Sequence, residues 1–268
     1  MVEEKTYISP RGTVHYWLKR KAGSEKICLV FLHGLLANHT LFEKQTAYFS
    51  LFHTVLAWDA PAHGKSRPYT PFSCAGAAED LKEILDLEGL ESCVLLGQSM
   101  GGFICQSFLL RWPDRVSGFV GIGTCPYGEG YYSALDRWWL RQVGWMARLY
   151  PDGVLRRSVA QNATKTSHAY ENMLCSMAVY PKGELCRLMG IGMAGMLEEN
   201  QNLEISCPVL IMIGEGDCTG KVRQYNRKWH ERTGFPIYVV KGAGHNANLD
   251  QWENVNGRIE QFLLDNGI

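Results

Sequence analysis

The strongest constraint on how this chain folds is an alternation. Short apolar or β-branched runs (Val14 to Lys19, Ile27 to Leu32, Thr54 to Trp58, Cys93 to Leu96, Phe119 to Ile122, Val209 to Ile213 and Ile237 to Val240) are separated by stretches of helical character. The most apolar of them are only strand-length and are read as buried strands, and strands alternating with helices build a mostly parallel sheet with helices packed against it. Ser73 is placed to cap a helix running through Ala77, Leu81 and Leu85 and ended by Gly89. A second helix is expected from Met100 to Arg111, stopped by Pro113.

The alternation fails between Pro126 and about Asn202, where the chain turns helical and rich in large apolar residues. Three of the eight Trp, six of the nine Met and six of the twelve Tyr fall there, which suits a helical insertion with its own small core. The expected organisation is therefore a core of residues 1–125 and 203–268 with an insertion at 126–202.

Composition narrows the function. Of 268 residues, 46% are apolar, enough for one large core. Lys and Arg total 27 and Asp and Glu total 27, and that balance argues against a nucleic-acid binder. No segment approaches the length of a membrane span, and the polar start MVEEKTYISPRG does not read as a secretory signal. Nine scattered Cys without a CxxC pair fit neither a disulfide framework nor a zinc site, so no metal site and a reducing, cytoplasmic setting are expected.

Chemistry concentrates at four strand ends. Gly97-Gln98-Ser99-Met100-Gly101 follows the run Cys93 to Leu96 and opens the helix to Arg111, so a GxSxG sits on a strand-to-helix corner that lifts a serine hydroxyl above the sheet edge. His33-Gly34-Leu35-Leu36 closes the run Ile27 to Leu32, where a second oxyanion donor would come from, which nominates the backbone N–H groups of Leu35 and Met100. Gly214-Glu215-Gly216-Asp217 follows Ile213 and makes Asp217 the candidate acid, with Glu215 two residues away as its rival. Gly242-Ala243-Gly244-His245 follows Val240 and makes His245 the candidate base. A serine hydroxyl is a poor nucleophile unless an imidazole takes its proton, and the imidazole needs a carboxylate to hold its tautomer. The order Ser99, Asp217, His245 supplies each part once.

On these residues the chain resembles the α/β-hydrolase superfamily, over essentially its whole length apart from the insertion. Asp59-Ala60-Pro61-Ala62-His63-Gly64-Lys65-Ser66 is similar to the family's DxPxHGxS turn, and Asp250 stands where relatives often carry Glu. Two departures stand out: Cys218-Thr219-Gly220 lacks a Pro common near that position, and Trp252 replaces a Pro common after the histidine. The resemblance implies an α/β-hydrolase fold, an eight-stranded, mostly parallel sheet, and a helical cap at 126–202. It also implies a serine hydrolase acting on carboxylic esters through an acyl-enzyme on Ser99, without metal or organic cofactor. The serine disfavours the haloalkane dehalogenases and epoxide hydrolases of the superfamily, which use Asp there. Carbon–carbon hydrolases, lyases, acyltransferases and receptor-like binding modules share the same constellation and stay open.

His33, His63 and Asp59 are read as structural, the last as a turn-former. The expected partner is a small, largely apolar molecule, with Trp138, Trp145, Met146, Met173 and Met177 as candidate pocket residues. Arg137, Arg141 and Arg148 share one side of a helix, read as a solvated face, with a mouth for an anionic substrate as the alternative. The oligomeric state is not legible.

Overall fold

A computed structural model describes residues 3–23, 27–199 and 201–268. Residues 1, 2 and 24–26 of the expected core, Asn200 of the expected insertion, and the side chains of Glu129 and Met196 lie outside the described set. Eight strands form one sheet: β1 (Glu3–Ser9), β2 (Gly12–Lys19), β3 (Ile27–Leu32), β4 (Thr54–Trp58), β5 (Ser92–Gln98), β6 (Val116–Ile122), β7 (Val209–Gly214) and β8 (Ile237–Val240). Their order is β1-β2-β4-β3-β5-β6-β7-β8, antiparallel at β1, β2 and β4 and parallel from β4 onward. The helices are α1 (Glu43–Phe49), α2 (Cys74–Leu87), α3 (Met100–Arg111), α4 (Ala134–Arg148), α5 (Asp152–Ala163), α6 (Ser167–Ala178), α7 (Lys182–Ala194), α8 (Val222–Thr233), α9 (Ala247–Asp250) and α10 (Trp252–Asp265).

Strand periodicity divides the core into two layers. Leu29 and Phe31 of β3, with Val94 and Leu96 of β5, pack against Phe49 of α1 and Val255 and Ile259 of α10. Val30 and Leu32, with Cys93 and Leu95, point the other way, onto Leu81 of α2, Ile104 and Phe108 of α3 and Trp229 of α8. Alternate residues of a strand face opposite sides of the sheet, so strands buried on both faces must be apolar at nearly every position. Ser73 accepts a hydrogen bond from Gly76 N–H and caps α2 as its sequence implies.

One strand went unread. β1 pairs with β2 from Glu3 opposite Leu18 to Ser9 opposite Gly12, and its side chains are mostly exposed or half-buried. An exposed edge strand needs no apolar run, so EEKTYIS carries little signal of its own.

The order of strands locates the site. From β3 the chain passes to β4 on one side and then to β5 on the other, so the loops leaving β3 and β5 diverge and open a crevice at the strands' carboxyl ends. Helices α4 to α7 lie between β6 and β7 in the chain, and residues of all four line the space over that crevice. Among the described residues no helix is long and apolar enough to cross a membrane.

Candidate active site

The corner between β5 and α3 holds Ser99 in a backbone geometry that needs tight bracing. Ser99 has φ 50° and ψ −114°, a strained combination for a residue with a side chain. Its N–H donates to the Ile122 carbonyl at 2.8 Å, and its carbonyl accepts from Gly102 N–H at 2.9 Å and Thr124 Oγ1 at 2.8 Å. The flanking glycines are required by close approach: a Cβ at Gly97 would lie 2.6 Å from Gly102, and one at Gly101 would lie 1.9 Å from the Leu32 carbonyl oxygen. Ser99 is half-buried while Gln98 and Met100 on either side are buried.

Leu35 occupies a turn in which Ala37 N–H donates to the Gly34 carbonyl at 3.3 Å and Leu36 has φ 62°. That closure uses the amide of Ala37 and not that of Leu35. Met100 opens α3, and the first amides of a helix have no carbonyl one turn earlier to pair with.

His245 and Asp217 meet across the ends of β8 and β7. Nδ1 of His245 lies 2.8 Å from Asp217 Oδ2, and both side chains are buried. A carboxylate only accepts, so Nδ1 carries the hydrogen and Nε2 remains the basic nitrogen of the neutral ring. The other oxygen of Asp217 accepts from Thr219 N–H at 2.9 Å, so the loop closes on the carboxylate without the proline common in relatives. Burial works to raise the pKa of Asp217, but the charge and hydrogen bond of His245 and the Thr219 amide outweigh it and hold the carboxyl below its ordinary value. Glu215, the rival acid, is exposed and accepts from Gly242 N–H at 3.2 Å.

Ser99 and His245 line both lobes of one cavity. The first, of about 390 Å³, takes Met100, Phe103, Leu140, Met146 and Tyr225, with Trp139 of α4 beside them. The second, of about 360 Å³, includes Gln98, Ser158, Asn162, Met173 and Asn246 and is the more polar. Leu35, Val143 and Met193 border both.

The pocket expectations divide. Met146 and Met173 line the cavity, whereas Trp138 and Trp145 point outward at 52% and 61% exposure and line neither lobe. The phase of α4 explains this: Trp139 shares the cavity-facing side of the helix with Leu140, Val143 and Met146, and Trp138 and Trp145 fall on the other side. Met177 is fully buried in the core and does not reach the cavity. Trp139, one residue from Trp138, takes the expected place.

Residues with no role in the site legible from the sequence, Gln98, Asp250 and Lys221, organise it. Gln98 Nε2 donates to the His245 carbonyl and to Asn246 Oδ1, each at 3.2 Å, tying the serine corner to the histidine loop. Asp250 accepts from Gly244 N–H at 2.8 Å and from Lys165 and Thr166 N–H at 2.8 and 2.9 Å, which links that loop to the start of α6. Lys221 Nζ lies 2.6 Å from Asp136 Oδ1, joining the loop after Asp217 to the first turn of α4. Apart from Asp250 with Gly244, six residues away, these pairs are about 85 residues apart or more and leave no spacing signature.

The remaining polar residues of the motifs brace loops. His33 Nδ1 donates to the Gly34 carbonyl and its Nε2 accepts from Ala60 N–H at 2.8 Å. His63 Nδ1 donates to the Pro61 carbonyl at 2.9 Å. Burial lowers the pKa of His33 to about 4; burial and the neighbouring His33 lower that of His63 to about 3. Asp59 accepts from His39 and Lys65 N–H at 2.8 and 2.7 Å and from His39 Nδ1 at 2.7 Å, and so shapes its turn.

Comparison with known proteins agrees with this architecture. Residues 27–177 match the family described by the alpha/beta hydrolase fold. The chain is 26% identical to carboxylesterase YbfK of Bacillus subtilis, over 97% of this chain and 88% of that protein. It is 33% identical to a 2-hydroxy-6-oxononadienedioate/2-hydroxy-6-oxononatrienedioate hydrolase of Paraburkholderia phymatum, over 94% of this chain and 90% of the other. Among solved structures, a thermophilic esterase from Thermogutta terrifontis superposes with a TM-score of 0.78 at 19% identity, covering 99% of each chain.

Proposed function

Because the chain belongs to the α/β-hydrolase fold family, we propose that it is a serine hydrolase cleaving a carboxylic ester, or a related acyl bond, of a small and largely apolar substrate. Ser99 attacks the carbonyl carbon as His245 Nε2 takes its proton. Asp217 keeps the ring in the tautomer this requires and stabilises the imidazolium that forms. The N–H groups of Leu35 and Met100 hold the oxyanion. His245 then protonates the leaving alcohol, the acyl group stays on Ser99, and a water activated by the same histidine releases the acid and restores the hydroxyl.

The observation that carries the reading is the 2.8 Å pairing of Asp217 with His245 beside a strained serine in a shared cavity. A buried carboxylate, an oriented imidazole and a serine forced out of ordinary backbone geometry are the three costs of an activated nucleophile. The helices from α4 to α7 act as the cap over residues 126–202, and the first lobe takes the more apolar part of the substrate. Nine free thiols are consistent with a reducing, cytoplasmic setting.

The Paraburkholderia relative favours one second reading, hydrolytic cleavage of a carbon–carbon bond by the same residues. Hydrolysis of a p-nitrophenyl ester series from acetate to decanoate, by wild type and Ser99→Ala, separates the two. An esterase shows a chain-length optimum that the variant loses. If the whole series is left untouched while a fluorophosphonate still labels Ser99, the serine is armed for something other than simple ester hydrolysis: carbon–carbon cleavage, acyl transfer or receptor-like binding.

A further inference from the structure

Among the described residues every exposed tryptophan lies on α4: Trp138, Trp139 and Trp145 are 52%, 48% and 61% exposed. Leu135 and Leu149, at 62% and 68%, extend the same helix face, since positions 135, 138, 145 and 149 recur at helical spacing. An apolar stripe of this kind is not the ordinary surface of a monomer.

Its charge is one-sided. The ionisable groups of α4 are Asp136, Arg137, Arg141 and Arg148. Asp136 is buried and committed to Lys221 and Ser133, and Arg137 donates to the Tyr132 carbonyl. Arg141 and Arg148 stand exposed on either side of Trp145, at i−4 and i+3. Lys182 Nζ donates to the Arg148 carbonyl, which adds a third cation at the helix end. In a chain of zero net charge this face is locally cationic.

Tryptophan and leucine flanked by arginine suit the headgroup level of a lipid layer, where rings enter the boundary and guanidinium groups meet phosphate. A two-fold contact with a second copy would set this cationic helix face against its own image, and α4 has no free carboxylate to answer it. The stripe is also continuous with the site, because Leu135 and Trp139 are exposed on it and line the apolar lobe as well. We propose that the outer face of α4 docks this protein on an anionic lipid surface, with the mouth of the apolar lobe turned toward the acyl chains. The proposal goes beyond the hydrolase reading and does not depend on the bond cleaved.

The test is co-sedimentation of the full chain with vesicles of phosphatidylcholine and of phosphatidylcholine mixed with phosphatidylglycerol. Wild type partitions onto the mixed vesicles with a blue shift of tryptophan emission. Trp138→Ser with Trp145→Ser weakens partitioning at least ~10-fold by removing buried rings. Arg141→Gln with Arg148→Gln weakens it roughly 30-fold on the mixed vesicles, at about five-fold per arginine, with little effect on neutral ones. Both pairs keep the wild-type melting temperature, because neither lines the cavity or enters the core. The proposal is overturned if wild type stays in the supernatant with both vesicles, or if the variants partition as it does. A dimer in sedimentation velocity that the tryptophan pair dissolves would overturn it too, by assigning the face to a second copy.

Discussion

A methyl group added at Gly101 would sit 1.9 Å from the Leu32 carbonyl oxygen, 2.6 Å from its carbon and 2.9 Å from the His33 oxygen. All three are backbone atoms at the end of β3, which is paired to β4 on one side and β5 on the other, so they cannot swing aside as a side chain could. Restoring ordinary contact requires the separation to open by roughly 1.5 Å, and the start of α3 is what must move. That movement carries Met100 and Ser99 with it. Overpacking of this kind costs about 1–3 kcal/mol, and a displacement near 1 Å at reacting atoms costs on the order of 10²-fold in rate. Gly101→Ala is therefore expected to lower kcat/KM for a p-nitrophenyl ester about 100-fold and the melting temperature by several degrees. Gly257→Ala in α10, where a Cβ meets nothing within 4 Å, is the matched control and is expected to be neutral or stabilising by up to about 1 kcal/mol. The reasoning is refuted if Gly101→Ala keeps wild-type kcat/KM and melting temperature.

Other outcomes follow from the same structure. Asp217→Asn presents an amide to His245 Nδ1, so the ring is held in the wrong tautomer; kcat should fall about 10⁴-fold, measured by stopped assay against wild type. His33 and His63 have pKa values lowered from 6.5 to about 4 and about 3, so the unfolded chain binds protons first as pH falls. Stability is then full above pH 6.5 and is lost as pH falls toward those values, by about 1.4 kcal/mol per pH unit for each histidine, which urea unfolding between neutral pH and pH 5 should resolve. Trp139→Ala should shift the chain-length optimum to longer acyl groups, whereas Met177→Ala should leave it in place and cost about 3 kcal/mol of stability by opening a cavity in the core.

What could be read from the sequence were features whose cause is local. The corner at Ser99 announces itself because a strand, a strained residue and glycines at close approach must follow one another in the chain. Asp217 and His245 were legible as polar residues in glycine loops just past apolar runs, which places them at one sheet edge once the sheet is parallel. The orientation of α4 was not legible from its content. Trp138, Trp139 and Trp145 are chemically equivalent, and the way α4 packs on the rest of the fold, not residue type, decides which of them lines the cavity. The braces from Gln98 and Lys221, and the reach of Asp250 to Lys165 and Thr166, were hidden for a related reason: each joins distant segments, and a lone polar residue does not name its partner. β1 was hidden because an edge strand draws its stability from its neighbour's backbone and not from apolar side chains of its own.

The account rests on one reactive oxygen, and labelling with a fluorophosphonate followed by peptide mass spectrometry addresses it directly. Wild type should gain a single adduct at Ser99, Ser99→Ala none, and His245→Ala should label far more slowly because no base removes the hydroxyl proton. An unlabelled wild type, or an adduct on another serine with Ser99 untouched, would contradict the assignment of Ser99, His245 and Asp217 as one catalytic unit.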